Sequence, residues 1–237
     1  MTRILYFSRD YTPHDHRFLS ALAQTEHTVY FLQLERRGHA TEERSLPPEI
    51  EQIPWTGGHA PARLTDGLRL LLDLQRVRRK VNPDLIQAGP VQRSAFLAAL
   101  AGLRPLLTMS WGYDLLVDAH KNRWWNWATR YTLKRSAALL GDCDTIRQLA
   151  ISYGMNPSRI VTFPWGIDLH HFKPNDRKLA TSLQPPVTSG LTLLSTRSWE
   201  PIYGVNIIAN AFVTAAQQCP ELRLVMLGNG SLAGELR

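Results

Sequence analysis

Short, nearly continuous apolar runs alternate along this chain with segments whose apolar residues recur at helical spacing. Arg3–Ser8 (RILYFS) reads as a strand buried on both faces. A polar loop is expected through His16, followed by a helix over Arg17–Ala23. Thr28–Leu34 (TVYFLQL), rich in aromatic and β-branched residues, predicts a second strand. Glu35–Pro61 is polar and punctuated by Pro47–Pro48 and Gly57–Gly58, the mark of a loop with a short embedded strand. Leu64, Leu68, Leu71, Leu72, Leu74 and Val77 predict one amphipathic helix over Leu64–Val81. Further strands are expected over Asp84–Ala88, Leu106–Ser110, Ala137–Gly141 and Arg159–Phe163. Between them fall helices over Val91–Leu103, Asn122–Ser136 and Thr145–Tyr153, with a turn at Trp111–Asp114 and a stop at Gly154. Strand and helix thus alternate to about residue 168. Right-handed crossovers then dictate an α/β domain, a Rossmann-like parallel sheet with helices on both faces.

Beyond Phe172 the pattern changes. Residues 173–190 carry Pro174, Pro185, Pro186 and Gly190 with few large apolar side chains, which predicts a linker. A new β-α-β unit then begins: a strand over Leu191–Ser195, a helix over Val205–Gln217 and a strand over Leu222–Leu227. Two strands and one helix cannot bury both faces of a doubly wound sheet. The expected organisation is a first domain over 1–172, a linker over 173–190 and an incomplete second Rossmann-like domain over 191–237.

Composition narrows the function. A 44% hydrophobic chain with seven tryptophans suits a packed core. No apolar stretch approaches the roughly 20 residues that a spanning helix needs, and Met1–Asp10 does not read as a secretory signal. Cys143 and Cys219 are far apart, which speaks against a disulfide framework or a structural zinc site. The expected location is the cytoplasm. A net charge of +7 favours an anionic partner. Without helix-turn-helix, zinc-finger or RRM spacing, nucleic acid is set aside, and phosphorylated small molecules and anionic lipid remain. Ser8–Arg17 lacks the GxGxxG that a dinucleotide site requires at the first turn.

Three stretches carry a resemblance. Thr162–Pro174 (TFPWGIDLHHFKP) resembles the linker entry of family-4 glycosyltransferases, where a strand exits through Asn-Gly-Val-Asp toward Phe-x-Pro. Leu193–Phe212 (LLSTRSWEPIYGVNIIANAF) resembles that family's opening of the donor domain, and Leu222–Ser231 (LRLVMLGNGS) its next strand and Gly-x-Gly turn. The resemblance implies a GT-B fold, with the acceptor bound by the first domain and a nucleotide sugar by the second. It implies retaining hexosyl transfer to a hydroxyl, with no metal and no resident cofactor, the nucleotide sugar being a co-substrate. The acceptor would be a glycan or lipid-linked saccharide in cell-surface polysaccharide assembly. Rival readings are a GT-B-like sugar-phosphate enzyme, such as an epimerase or phosphorylase, and a truncated non-catalytic module that binds an acceptor, a membrane or a partner.

The resemblance also assigns residues. Arg197, at a strand's carboxyl end, would neutralise the donor diphosphate, the alternative being a surface salt bridge. Gly204 would open the next helix toward the same phosphates. Asp114 would orient a sugar hydroxyl as the catalytic candidate, or simply cap a helix. Asp10, His14, Asp15, His16 and Trp111 would contact acceptor or sugar, or be ordinary loop polarity. Gly166 and Asp168 would serve the turn between domains. The chain departs from the family in having Ile202–Tyr203 where a lysine is common, no glycine in Arg9–Arg17, and Trp111 where many members place histidine. The family's acidic pair for donor sugar and ribose would fall beyond Arg237, so the chain is expected not to be competent alone.

Two basic stretches bear on an anionic membrane at the inner face of the plasma membrane. Arg63–Lys80 sets Arg69, Arg76, Arg78 and Arg79 beside leucines, and Lys121–Arg135 interleaves Trp124, Trp125, Trp127 and Tyr131 with cations and no acid. The alternative is a solvated helix whose tryptophans pack inward.

Overall fold

The computed structural model describes residues 1–36, 42–62, 64–167, 169, 173 and 190–236. Arg63, Asp168, Phe172 and residues 174–189 of the expected linker therefore lie outside the described residues. Two compact units result, Met1–Ile167 and Asp168–Arg237.

The first unit is built on strands β1 (Arg3–Ser8), β2 (Thr28–Gln33), β3 (Glu51–Gln52), β4 (Leu85–Gly89), β5 (Leu106–Met109), β6 (Ala138–Gly141) and β7 (Ile160–Thr162). They pair in parallel in the order β3-β2-β1-β4-β5-β6-β7. Helices α1 (Pro13–Ala23), α2 (Gly67–Val81), α3 (Ser94–Leu100), α4 (Tyr113–Leu116), α5 (Arg123–Arg135) and α6 (Asp144–Ser152) make the connections. The apolar run of β1 has its cause here. Leu5 and Phe7 pack with Leu70, Leu74 and Val77 of α2, whereas Ile4 and Tyr6 pack with Leu19 of α1 on the opposite face. A strand covered on both sides gains from apolar residues at every position, with about 1.5–3 kcal/mol for each large side chain fully buried.

Several boundaries differ from the sequence reading. α1 begins at Pro13 rather than Arg17, so His14, Asp15 and His16 form a first helical turn and not a loop. Thr12 caps that turn, Pro13 sits where no N–H is needed, and Asp15 completes a capping box. The expected helix over Leu64–Val81 starts as a 3₁₀ turn, Leu64–Asp66, before α2 proper. α3 is shorter than Val91–Leu103, because 91–93 form a turn and Gly102, at φ 67°, redirects the chain ahead of Pro105. The turn at Trp111–Asp114 runs into α4, whose cap is Gly112 at φ 87°, so Asp114 is not a helix cap.

The second unit holds β8 (Thr192–Ser195) and β9 (Arg223–Met226), paired in parallel, with α7 (Val205–Gln218) and α8 (Ala233–Leu236). Leu193, Leu194, Val225 and Leu227 remain exposed, since two strands and one long helix cover little of the sheet.

Candidate functional site

Strand order reverses between β1 and β4. At such a reversal the loops leave the carboxyl ends of neighbouring strands in opposite directions and open a crevice, where sheets of this class bind ligands. A cavity of about 300 Å³ lies there in the first unit. Its wall comes from the end of β1 (Ser8, Arg9, Asp10), the β4 exit (Pro90, Arg93), the segment after β5 (Trp111, Tyr113, Asp114, Asp118) and the start of α1 (Thr12, His14). Asp10, His14, Trp111 and Asp114, four of the residues expected to contact sugar or acceptor, are thus brought together. Asp15 and His16 are not among them.

His14 stacks on Trp111, and its Nδ1 accepts a hydrogen bond of 2.7 Å from the Arg17 guanidinium. Arginine is only a donor, so Nδ1 is unprotonated and the ring proton resides on Nε2. Partial burial, and then the Arg17 charge, hold the His14 pKa below its usual value, with Asp142 opposing. Arg17 also donates to the Gly166 carbonyl, which ties α1 to the segment leaving β7. Phe18 and Trp165 pack edge-on against Trp111 at 5.9 and 5.6 Å, extending the aromatic floor.

Asp114 is buried, and its oxygens are already engaged. Oδ2 accepts from Val91 N at 3.0 Å, while Oδ1 accepts from Ser110 Oγ at 2.6 Å and Leu115 N at 3.0 Å. Burial pushes its pKa up, and the hydrogen bonds from Ser110, Val91, Leu115 and Trp111 pull against that shift. Asp114 thereby pins the β4 exit to the β5 exit while it lines the cavity. Asp15 is engaged in the same way. Fully buried, it accepts from Tyr6 Oη at 3.0 Å, from Thr12 N at 2.9 Å and from Thr12 Oγ1, so it holds α1 onto β1 rather than facing a ligand. His16 points to Tyr11, whose hydroxyl lies 2.7 Å from its Nδ1. Asp10 stays in the wall, with Oδ1 accepting from Tyr11 N and Gln33 Nε2, both at 2.8 Å.

The sequence reading missed Arg9 and Arg93. Arg9 pairs with buried Glu35. Arg93, half-buried in the turn after β4, places its guanidinium carbon 4.8 Å above the Trp125 ring. A basic residue four positions past a strand's end was the available signal.

Within the second unit, Arg197 follows the end of β8 and lies exposed, with its guanidinium carbon 5.8 Å from the centre of the Tyr203 ring. It takes part in no salt bridge with a described residue. Gly204 occupies the left-handed region at φ 61° and caps α7, leaving the first N–H groups of that helix without intrahelical partners. The turn that contains Gly228 and Gly230 presses on the Arg197 loop: a Cβ on Gly228 would lie 2.5 Å from Arg197 O, and one on Gly230 2.4 Å from Trp199 O. Among the described residues no three His, Cys, Asp or Glu side chains gather into a metal-binding group.

The description Glycosyltransferase Family 4 matches residues 14–171, two thirds of the chain. The chain belongs to glycosyltransferase family 4. The family-4 chain also resembles solved structures. HepE from Anabaena, in complex with UDP-glucose, aligns with a TM-score of 0.67 at 15% identity, covering 99% of this chain and 63% of HepE. Sucrose-phosphate synthase from Thermosynechococcus elongatus gives 0.69 at 12% identity, over 95% of this chain and 62% of that one. UDP-GlcNAc 2-epimerase from Neisseria meningitidis, bound to UDP-GlcNAc, gives 0.54 at 13% identity, over 100% and 68%. The chain therefore spans less than two thirds of the length of HepE and the synthase. Identities this low establish the fold, which is GT-B, and leave the reaction open, since an epimerase shares it. No curated protein sequence matches the chain significantly.

Proposed function

We propose that this family-4 protein transfers a hexosyl group, with retention, from a nucleotide-sugar donor to an acceptor hydroxyl. The acceptor is a glycan or lipid-linked saccharide assembled at the cytoplasmic face of the membrane. The observation that carries the reading is the cavity at the sheet's reversal, which pairs a stacking surface (Trp111, with His14 against it) with hydrogen-bonding groups (Asp10, the His14 Nε2 proton). Apolar sugar faces stack on indole, and hydroxyls need a few placed polar groups. The first unit is then the acceptor domain.

The second unit takes the nucleotide sugar. An exposed Arg197 beside the amino end of α7 offers a guanidinium and free backbone N–H groups to a diphosphate. In the reaction the sugar C1–O bond to the diphosphate breaks, a bond from the acceptor oxygen to C1 forms, and the hydroxyl proton leaves to the departing phosphate or to solvent. A guanidinium at the diphosphate stabilises the charge that develops there. HepE, in complex with UDP-glucose, supports a uridine nucleotide as the first donor to try.

A membrane surface fits the first unit. Trp124 and Trp127 of α5 are 56% and 43% exposed, and cluster with Phe96 and Tyr131. Two of the three tryptophans of that stretch therefore face outward, against the inward-packing alternative. No helix among the described residues is long and apolar enough to cross a membrane.

Calorimetric titration with UDP, GDP and ADP sugars tests the proposal, on this chain and on the full reading frame that contains it. Binding of one donor class, weakened about tenfold or more by Arg197→Ala, is the expected result. No binding of any nucleotide sugar to either protein would overturn it.

A further inference from the structure

Arg93 combines three properties that rarely coincide without a ligand. It lines the cavity, its Nε is buried with no hydrogen-bond partner, and it forms no ion pair with any described residue. A half-buried guanidinium has given up part of its hydration, and the loss is recovered only when acceptors replace the water. The Trp125 face offers a cation–π contact on one side, but supplies no lone pair to Nε. Lys121 Nζ sits 5.8 Å from the same ring and adds positive potential. The flanking Gln92 Oε1 and Ser94 Oγ are also buried without partners, although Gln92 Nε2 donates to Asp114 O and Thr129 Oγ1.

Arg9 provides the contrast. Its charge is met by Glu35, which also accepts from Ala62 N at 3.1 Å and is thereby held in place. Arg9 and Glu35 both act on Arg93 electrostatically, the first against its charge and the second in favour, with Asp118 favouring it as well. Asp10 Oδ1 is held by Tyr11 and Gln33, and Asp114 by Val91 and Ser110. Arg93 therefore lines the cavity with no carboxylate of a described residue at ion-pair distance, Glu35 and Asp118 acting on it only from farther away.

We propose that Arg93 is the anchor of an oxyanion subsite, and that the acceptor bears a phosphate or carboxylate group which its guanidinium grips. Two parallel N–H donors match two oxygens of either group, a geometry that lysine cannot offer. The oxyanion's membership of the acceptor rests on the transfer reading above; the subsite itself does not. It narrows the substrate class to anionic saccharides or phosphate-bearing headgroups, and positions the neutral part of the acceptor over Trp111.

The test uses the ¹⁵N-labelled chain and the Arg93 Nε–H resonance, identified by its loss in Arg93→Lys. Probes are inorganic phosphate, glucose 6-phosphate, glucuronate, glucose and UDP. The expected result is a downfield shift of that resonance with glucose 6-phosphate or glucuronate, and binding about tenfold tighter than glucose. Arg93→Lys and Arg93→Gln should remove the preference while keeping the wild-type melting profile; the surface change Arg79→Gln should leave it intact. No shift with any anion, in wild-type protein that is folded, would overturn the subsite. A shift with UDP that glucose 6-phosphate and glucuronate do not compete away would assign the oxyanion to the donor and overturn the acceptor part. A shift with sugar anions in a protein that binds no nucleotide sugar would uphold the subsite and sink the transfer reading instead.

Discussion

The imidazole of His14 lies against the indole of Trp111, ring centroids 5.3 Å apart and planes 21° from parallel. The Arg17 guanidinium, 2.7 Å from Nδ1, locks the tautomer that leaves the Nε2 proton for other use. An aromatic surface and a fixed donor thus come from two elements far apart in sequence, α1 and the segment after β5.

This arrangement makes stability depend on pH with a definite sign. The folded His14 pKa lies below the ordinary value of 6.5. A histidine depressed by folding contributes stability that is complete above 6.5 and is lost as the pH falls through the folded value. Buried Asp15 and Asp114, whose pKa values are raised, act in the opposite sense, so the histidine is read by difference. Urea unfolding between pH 8 and 5 should show an acid-side loss that His14→Gln diminishes, because a glutamine carbonyl still accepts from Arg17 but does not titrate. Identical acid limbs for the two proteins would contradict the arrangement.

Asp15→Asn and Asp114→Asn each turn one oxygen of a buried carboxylate into a donor that faces other donors. Each is expected to lower unfolding free energy by about 1–3 kcal/mol. If Asp114 instead contacted sugar directly, its asparagine variant would keep wild-type stability and lose only ligand affinity. Chemical denaturation beside a binding titration separates the two.

Gly230→Ala should destabilise the second unit by about 1–3 kcal/mol, as overpacking does, because its Cβ would meet Trp199 O at 2.4 Å. Gly234→Ala is the control. Nothing lies within 4 Å of that position, which is inside α8, and alanine favours a helix. Amide hydrogen exchange in β8 and β9 should quicken in the first variant and not in the second.

Vesicles containing anionic lipid should sediment the wild-type chain, and added salt should weaken the association. The Trp124→Ala, Trp127→Ala double variant is expected to bind about fivefold or more weaker. Equal binding by both proteins would place the membrane contact elsewhere.

The strand and helix rhythm of the first unit was legible because it follows from burial alone. A strand covered on two faces must be apolar throughout, as β1 is, and a helix on one face must repeat every three or four residues, as α2 does with Leu70, Leu74 and Val77. The family was legible from the motifs around Gly166, Arg197, Gly204 and Gly228. The start of α1 was misread, although Thr12-Pro13-His14-Asp15 spells a capping box, because the histidines drew attention as loop polarity.

Residue type and local spacing by themselves determined the α/β class, and pointed to His14, Trp111, Arg197 and Gly204 as residues worth attention. Which carboxylates are free and which are spent was decided only in three dimensions. Asp10, Asp15 and Asp114 look alike along the chain, yet the partners that engage them come from Gln33, Tyr6 and Val91, on other strands and loops. Arg9 and Arg93 differ for the same reason: folding brings Glu35 into ion-pair distance of the first, while no carboxylate of a described residue comes that close to the second. Whether a charge is compensated depends on what packs within a few ångströms of it, and for these residues that neighbour is tens of positions away in sequence.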